Sequence, residues 1–172
     1  MAEQIQAAGY SMVVHDVCGE AAASVIESGA EWADSPADVA DRCDVVCTCL
    51  PGPVEMEQVA LGEGGLVQGL RAGSVYIDHT TNSPELVKKV HGEVVKRGAT
   101  MIDAPVSGGK EGAQTRDLTV LVGGDTEVLE RVRPILDAMA KTVMHVGAIG
   151  SGCVGKVMHN CAIFSLEQAM VE

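Results

Sequence analysis

Short apolar runs alternate with amphipathic or alanine-rich stretches along almost the whole chain. Ser11–Asp16 (SMVVHD), Asp44–Leu50, Ser74–Asp78 (SVYID), Thr100–Asp103, Leu118–Val122 and Thr142–Val146 are rich in Val, Ile and Leu and predict buried strands. Helices are expected between them, at Met1–Ala8 before Gly9, at Gly19–Ser28 before Gly29, and from Ser35-Pro36 onward. Further helices are expected from Ser83-Pro84-Glu85 to about Arg97, over Asp125–Ala140, and over Cys153–Glu172. Serine followed by proline is a start signal, because the serine oxygen caps an orphan N–H and the proline sits where its missing N–H is not needed. Pro51-Gly52-Pro53 is expected to break its strand sharply, and Pro134 to kink or break its helix. Ser107–Ala113 reads as a loop between two strands. Continuous apolar strands alternating with helices indicate a parallel sheet covered on both faces. The fold class is therefore α/β, a doubly wound, Rossmann-like sheet.

Composition narrows the picture. Hydrophobic residues make up 47% of the 172 positions but aromatics only 2%, so the core is built from aliphatic side chains and Met. A net charge of −12, with no Lys/Arg cluster, repels a polyphosphate backbone and argues against nucleic acid. No apolar run approaches the ~20 residues that span a bilayer, so no membrane partner is expected, and a cytoplasmic protein is expected. The six cysteines contain no C-x-x-C pair, and Cys47 and Cys49 alternate within a Val-rich strand. Reduced, buried, structural thiols and no metal site are expected.

Four places carry candidate chemistry. Asp16 closes an early strand, where an acid can accept hydrogen bonds from ribose hydroxyls; a solvated strand-end acid is the plain alternative. In Asp103-Ala-Pro-Val-Ser107-Gly108-Gly109 the paired glycines let backbone N–H groups converge on an anion, or simply make a flexible loop. Gly150 to Lys156 fits G-x-x-x-x-G-K, yet Val157 stands where a phosphate-binding loop needs a Ser or Thr for magnesium, so that reading fails. Lys156 and Asn160 are four apart and share a helical face, where a desolvated lysine can move a substrate proton. His159 is a further candidate beside them, whereas His15, His79, His91 and His145 show no ligand spacing.

Taken together and in order, these segments resemble the β-hydroxyacid dehydrogenase family, which includes 3-hydroxyisobutyrate, tartronate semialdehyde and 6-phosphogluconate dehydrogenases. Ala8-Gly9-Tyr10 with Val13–Asp16 resembles the family's first helix and second strand. Asp78-His-Thr-Thr81-Asn-Ser-Pro84 resembles its D-x-S/T-T-x-x-P segment, and Gly150-Ser-Gly152 with Lys156 and Asn160 resembles its catalytic helix. The resemblance implies an NAD(P)-dependent oxidoreductase acting on the CH–OH group of a small β-hydroxyacid. Lys156 would be the acid/base and Asn160 its orienting partner, while Ser107, Gly108 and Gly109 would bind substrate. Asp16, Leu50, Pro51 and Thr81 would contact the cofactor. A carboxylate at Asp16 repels a 2′-phosphate, which favours NAD over NADP.

Some features depart from the family pattern. Ala104–Ser107 resembles the hydroxyisobutyrate branch, while Lys156–Asn160 resembles the phosphogluconate branch; Phe164 stands where the latter tends to place a tyrosine. A 6-phosphogluconate-type dehydrogenase and a non-catalytic α/β binding protein are therefore the alternative readings. Members open with a strand and G-x-G-x-x-G, which do not precede Met1 here. The expectation is a sheet lacking its first strand, with Met1 internal to the first helix and weak cofactor binding by this chain alone. Residues 1–152 are expected to form an incomplete dinucleotide-binding domain, and 153–172 the start of an interdomain helix leading to an all-helical domain. The full-length form is expected to be a homo-oligomer.

Overall fold

The computed structural model describes residues 1–172. Serine caps do what the sequence predicts: Ser35 accepts the Asp38 N–H at 3.1 Å and Ser83 accepts the Leu86 N–H at 3.2 Å, each just before a proline. They open helices α3 (Pro36–Arg42) and α6 (Pro84–Lys96). Before them come α1 (Ala2–Ala7), β1 (Val13–Val14), a 3-10 turn at Gly19–Ala22, α2 (Ala23–Glu27) and β2 (Glu31–Trp32). β3 (Val45–Thr48), α4 (Pro53–Leu61), α5 (Leu66–Gly69) and β4 (Val75–Asp78) lie between α3 and α6. After α6 come β5 (Thr100–Asp103), β6 (Val106–Ser107), α7 (Gly109–Thr115), β7 (Leu118–Gly123), α8 (Thr126–Met139), β8 (Ala140–Gly147) and α9 (Ser151–Val171).

Strands β3, β4 and β5 pair in parallel, in register from Val45 opposite Val75 opposite Thr100. β5 then meets β7 antiparallel through one pair, Asp103 with Gly123, and β7 pairs antiparallel with β6 and parallel with β8. The parallel sheet is thus mixed beyond β5. Side chains alternate across it with period two, as a pleated strand requires. Tyr76 and Met101 join Val46 under helices α3, α4, α5 and α6, against Met56, Leu66, Val87 and Val90. Val75, Ile77 and Ile102 face the other way, against Leu129, Val132, Leu136 and Met139 of α8, with Ile5 of α1 and the preceding Met1 at the margin.

Several expectations are revised. α8 runs unbroken across Pro134. The Pro-Gly-Pro segment ends β3 but also starts a helix, since Pro53 occupies the first turn of α4. Ser107–Ala113 is not a free loop, because Gly109–Thr115 coil into α7. Cys47 and Cys49 are exposed rather than buried. The reason is topological: β3 is an edge strand, hydrogen-bonded only to β4, and β1–β2 form a separate two-stranded parallel sheet. The first turn of α9 is buried at Gly152 and Cys153, while Met158, Phe164 and Met170 further along it stand in the open. No helix is long and apolar enough to cross a membrane.

Leu136→Ala, in the middle of the α8 face, should cost about 2–5 kcal/mol through lost transfer energy and a residual cavity. Leu166→Ala on exposed α9 should stay within about 0.5 kcal/mol. Urea titrations of the two variants check this, and equal losses would contradict the assignment of the core.

Candidate active site

The candidate residues gather at the carboxyl ends of the parallel strands, where open α/β sheets place their ligands. β4 and β5 both end on an acid, Asp78 and Asp103, and both carboxyls are fully buried. Asp78 Oδ1 accepts from the Thr48 hydroxyl at 2.9 Å and the Thr80 N–H at 3.1 Å, and its Oδ2 accepts from the Asn82 amide at 2.6 Å. Thr80 Oγ1 in turn accepts the Leu50 N–H at 3.0 Å. The two segments expected to contact the cofactor, Leu50-Pro51 and Thr81, are therefore tied to one another through buried polar groups. Thr81 itself is half-buried and Pro51 exposed.

Asp103 performs the corresponding task for α9. Its Oδ1 accepts the Gly150 N–H at 2.7 Å and its Oδ2 the Cys153 N–H at 2.8 Å. One turn further on, the half-buried Lys156 reaches back so that Nζ donates to Ser107 Oγ at 3.3 Å. Ser107 belongs to β6 and is held opposite Thr119. Gly108 and Gly109 follow it with φ of +130° and +62°, backbone that a side chain would strain. A Cβ on Gly108 would also lie 3.1 Å from the Asp117 carbonyl oxygen. Asn160 sits half-buried one turn beyond Lys156.

Asp16 is set apart from this cluster. It is exposed beyond β1, and its Oδ1 accepts the Cys18 N–H at 2.8 Å, which leaves the other oxygen free as an acceptor. His159 is exposed on α9. An open groove of about 610 Å³ lies along α9, lined by Val157, Asn160, Cys161, Phe164, Ser165 and Gln168. It is a solvent-facing helix flank and excludes Lys156, so the chemistry is read from the Lys156–Ser107 pair instead.

Burial governs the ionisation of these groups. It raises the pKa values of Asp78 and Asp103 from the ordinary aspartate value, against their hydrogen bonds, which favour the charged forms. It lowers the pKa of Lys156. It pushes the Cys153 thiol up to about 12 and the His79 imidazole down to about 4. His79 is therefore neutral, with Nδ1–H donating to the Ala104 carbonyl at 2.7 Å and Nε2 buried without a partner. Thr48, Asp78, Thr80, Asn82 and Asp103 were not separable from ordinary strand-end residues in the sequence. The available signals were an acid closing an apolar strand, twice over, and the place of Asp78, Thr80, Asn82 and Asp103 inside the two segments that carry the family resemblance.

A family model for the NAD binding domain of 6-phosphogluconate dehydrogenase matches residues 1–158. The NAD-dependent L-serine dehydrogenase of Pseudomonas aeruginosa is 38% identical over 160 residues, covering 93% of this chain and 54% of that protein. The mitochondrial 3-hydroxyisobutyrate dehydrogenase of Bos taurus is 34% identical over 160 residues, covering 93% of this chain and 48% of that protein. Among solved structures, Mycobacterium tuberculosis 3-hydroxyisobutyrate dehydrogenase with L-serine superposes with a TM-score of 0.89 at 30% identity, over 99% of this chain and 59% of that one. The chain thus spans about half the length of the curated relatives it matches.

The buried carboxyls make stability depend on pH. A carboxyl whose folded pKa lies above its unfolded value stabilises the fold fully below the unfolded value, about 3.9. That stability is lost as pH rises through the raised folded value. Unfolding free energy should therefore carry a downward contribution from about pH 4 upward, and Asp78→Asn should reduce it. The Asn82 carbonyl oxygen has no partner, so a flip of that amide lets it accept from the new one. Urea unfolding across this range checks the claim, and identical pH slopes for variant and wild type would contradict it.

Proposed function

The chain belongs to the family of the NAD-binding domain of 6-phosphogluconate dehydrogenase, and from that premise we propose that it serves an NAD-dependent oxidation of the CH–OH group of a small β-hydroxyacid. The observation that carries this reading is the contact of Lys156 Nζ with Ser107 Oγ at 3.3 Å. It brings the candidate acid/base against the candidate substrate loop from a position 49 residues away. The 3-hydroxyisobutyrate and L-serine dehydrogenases among the relatives support the substrate class.

Ser107 and the backbone N–H groups of Gly108 and Gly109 hold the substrate carboxylate. This leaves the hydroxyl under Lys156, with Asn160 orienting it from the same helical face. Unprotonated Lys156 takes the hydroxyl proton as the carbinol C–H leaves as hydride, and the C–O bond becomes a carbonyl. In reduction the same ammonium returns the proton. Bound NAD supplies the hydride acceptor. The residues present supply part of a site for that group: Asp16 would offer its free carboxylate oxygen to the ribose hydroxyls and would disfavour a 2′-phosphate. Leu50, Pro51 and Thr81, which follow the ends of β3 and β4, would contact the cofactor.

Lys156→Met should lower kcat for NAD-dependent oxidation by about 10²–10⁴-fold, the usual range for general acid–base catalysis, while leaving NAD affinity nearly unchanged. Oxidation needs the unprotonated amine, so kcat/KM should rise with pH. Because burial lowers the Lys156 pKa, the midpoint should lie below the ordinary lysine value of about 10.4. NADH formation with L-serine and 3-hydroxyisobutyrate as probes measures both. Wild-type kcat in Lys156→Met would sink the reading.

A further inference from the structure

We propose that Asp103 is a positioning residue: from the end of β5 its carboxylate caps helix α9 and so sets the approach of Lys156 to Ser107. This rests on the catalytic reading of Lys156 given above. The starting point is a helix that cannot cap itself. α9 begins after Gly150, which has no side chain, and no side chain of its own N-cap residue bonds to its first turn. The opening N–H groups of a helix need acceptors, and a buried end without them is costly. Asp103, 47 and 50 residues away, supplies both, one oxygen to Gly150 and the other to Cys153. A charged acceptor at this end also complements the helix dipole.

Two prongs fix more than one. A single bond lets the helix swivel about it, whereas bonds from both oxygens to N–H groups three residues apart set its rotation and depth together. Lys156 follows Cys153 by three residues and so projects from the same face. Ser107 follows Asp103 by four residues, and the intervening segment is itself tied down. The Ala104 N–H donates to the Asp78 carbonyl at 2.7 Å, and the Pro105 carbonyl accepts from Leu121 at 3.1 Å. Both partners of the Lys156–Ser107 contact are therefore referenced to one carboxylate, in a closed ring from Asp103 through Ser107 and Lys156 to Cys153.

Two glycines show how close the seat is. A Cβ on Gly152 would stand 2.4 Å from the Leu121 carbonyl oxygen and 2.9 Å from Asp103 Oδ2. A Cβ on Gly123 would stand 2.4 Å from Asp103 Oδ1 and 2.7 Å from the Gly152 nitrogen. All four contacts are shorter than a real Cβ tolerates, so the helix start reaches the strands only because these positions lack side chains. The other ionisable groups acting on this corner are the Cys153 thiol and the Asp78 carboxyl.

The test follows the labelling of each lysine by an amine-acylating reagent across a pH series, read by peptide mass spectrometry. Lys88, Lys89, Lys96, Lys110 and Lys141 serve as internal references. In the wild type, Lys156 should reach half-labelling at a lower pH than these five. In Asp103→Asn the Lys156 midpoint should rise above its wild-type position, with the labelling of the five unchanged. Loss of the carboxylate charge alone would move it the other way, so a rise reports release of the side chain into water. Gly152→Ala, which keeps the charge and lifts the helix, should give the same rise. A Lys156 midpoint that stays or falls in either variant, while far-ultraviolet circular dichroism shows it folded, overturns the proposal even if that variant is less stable. Labelling needs no turnover, so a catalytically dispensable Lys156 would show itself separately in Lys156→Met.

Discussion

The buried carboxylate of Asp103 is the interaction on which the rest of the site depends. It sits where β5 ends, where the sheet changes from parallel to antiparallel at Gly123, and where α9 begins. Burial opposes its ionisation and two backbone N–H groups from α9 favour it, so the docked helix offsets part of the cost of burying the charge. The helix in turn is seated only because Gly123 and Gly152 allow backbone to approach backbone. Fold and candidate chemistry are coupled at this corner, since whatever loosens the helix start also moves Lys156.

Asp78 has the matching role on the neighbouring strand. It gathers Thr48, Thr80 and Asn82 at the end of β4, and Thr80 carries the restraint on to Leu50. The Cys153 thiol points at the Thr80 carbonyl at 3.7 Å, which links the two carboxyl networks. Polar groups this deeply buried stabilise only when nearly all are satisfied, and here two atoms are left over, His79 Nε2 and Asn82 Oδ1. The sheet's aliphatic faces hold the layers together, and the polar seam along the strand ends sets where the loops lie.

Much of this was legible in the chain because local rules and tertiary structure agree. Apolar runs became strands, Ser-Pro pairs became capped helix starts, and the four-residue spacing of Lys156 and Asn160 put both on α9. Where the reading went astray, a local signal had two meanings. Pro53 breaks a strand and opens a helix, the glycines after Ser107 read as a loop but lead into α7, and Pro134 is accommodated inside α8. β2 is only two exposed residues long and offers no pattern. Cys47 and Cys49 look buried from their apolar neighbours, but β3 stands on an edge, as a sheet lacking its first strand requires, and the local pattern alone does not show this. Asp103 was visible only as the first residue of the substrate-loop segment, because a cap reaching across 50 residues has no local signature.

The central claim is that Lys156 and Ser107 act as one unit, and a double-mutant cycle tests it most directly. Lys156→Met, Ser107→Ala and the double variant would be compared by kcat/KM for NAD-dependent oxidation of the hydroxyacid. Residues that act together are strongly non-additive, so the double variant should be scarcely worse than Lys156→Met alone. Losses that simply multiply would mean that the two side chains work independently, and the site described here would not be the one that carries the chemistry.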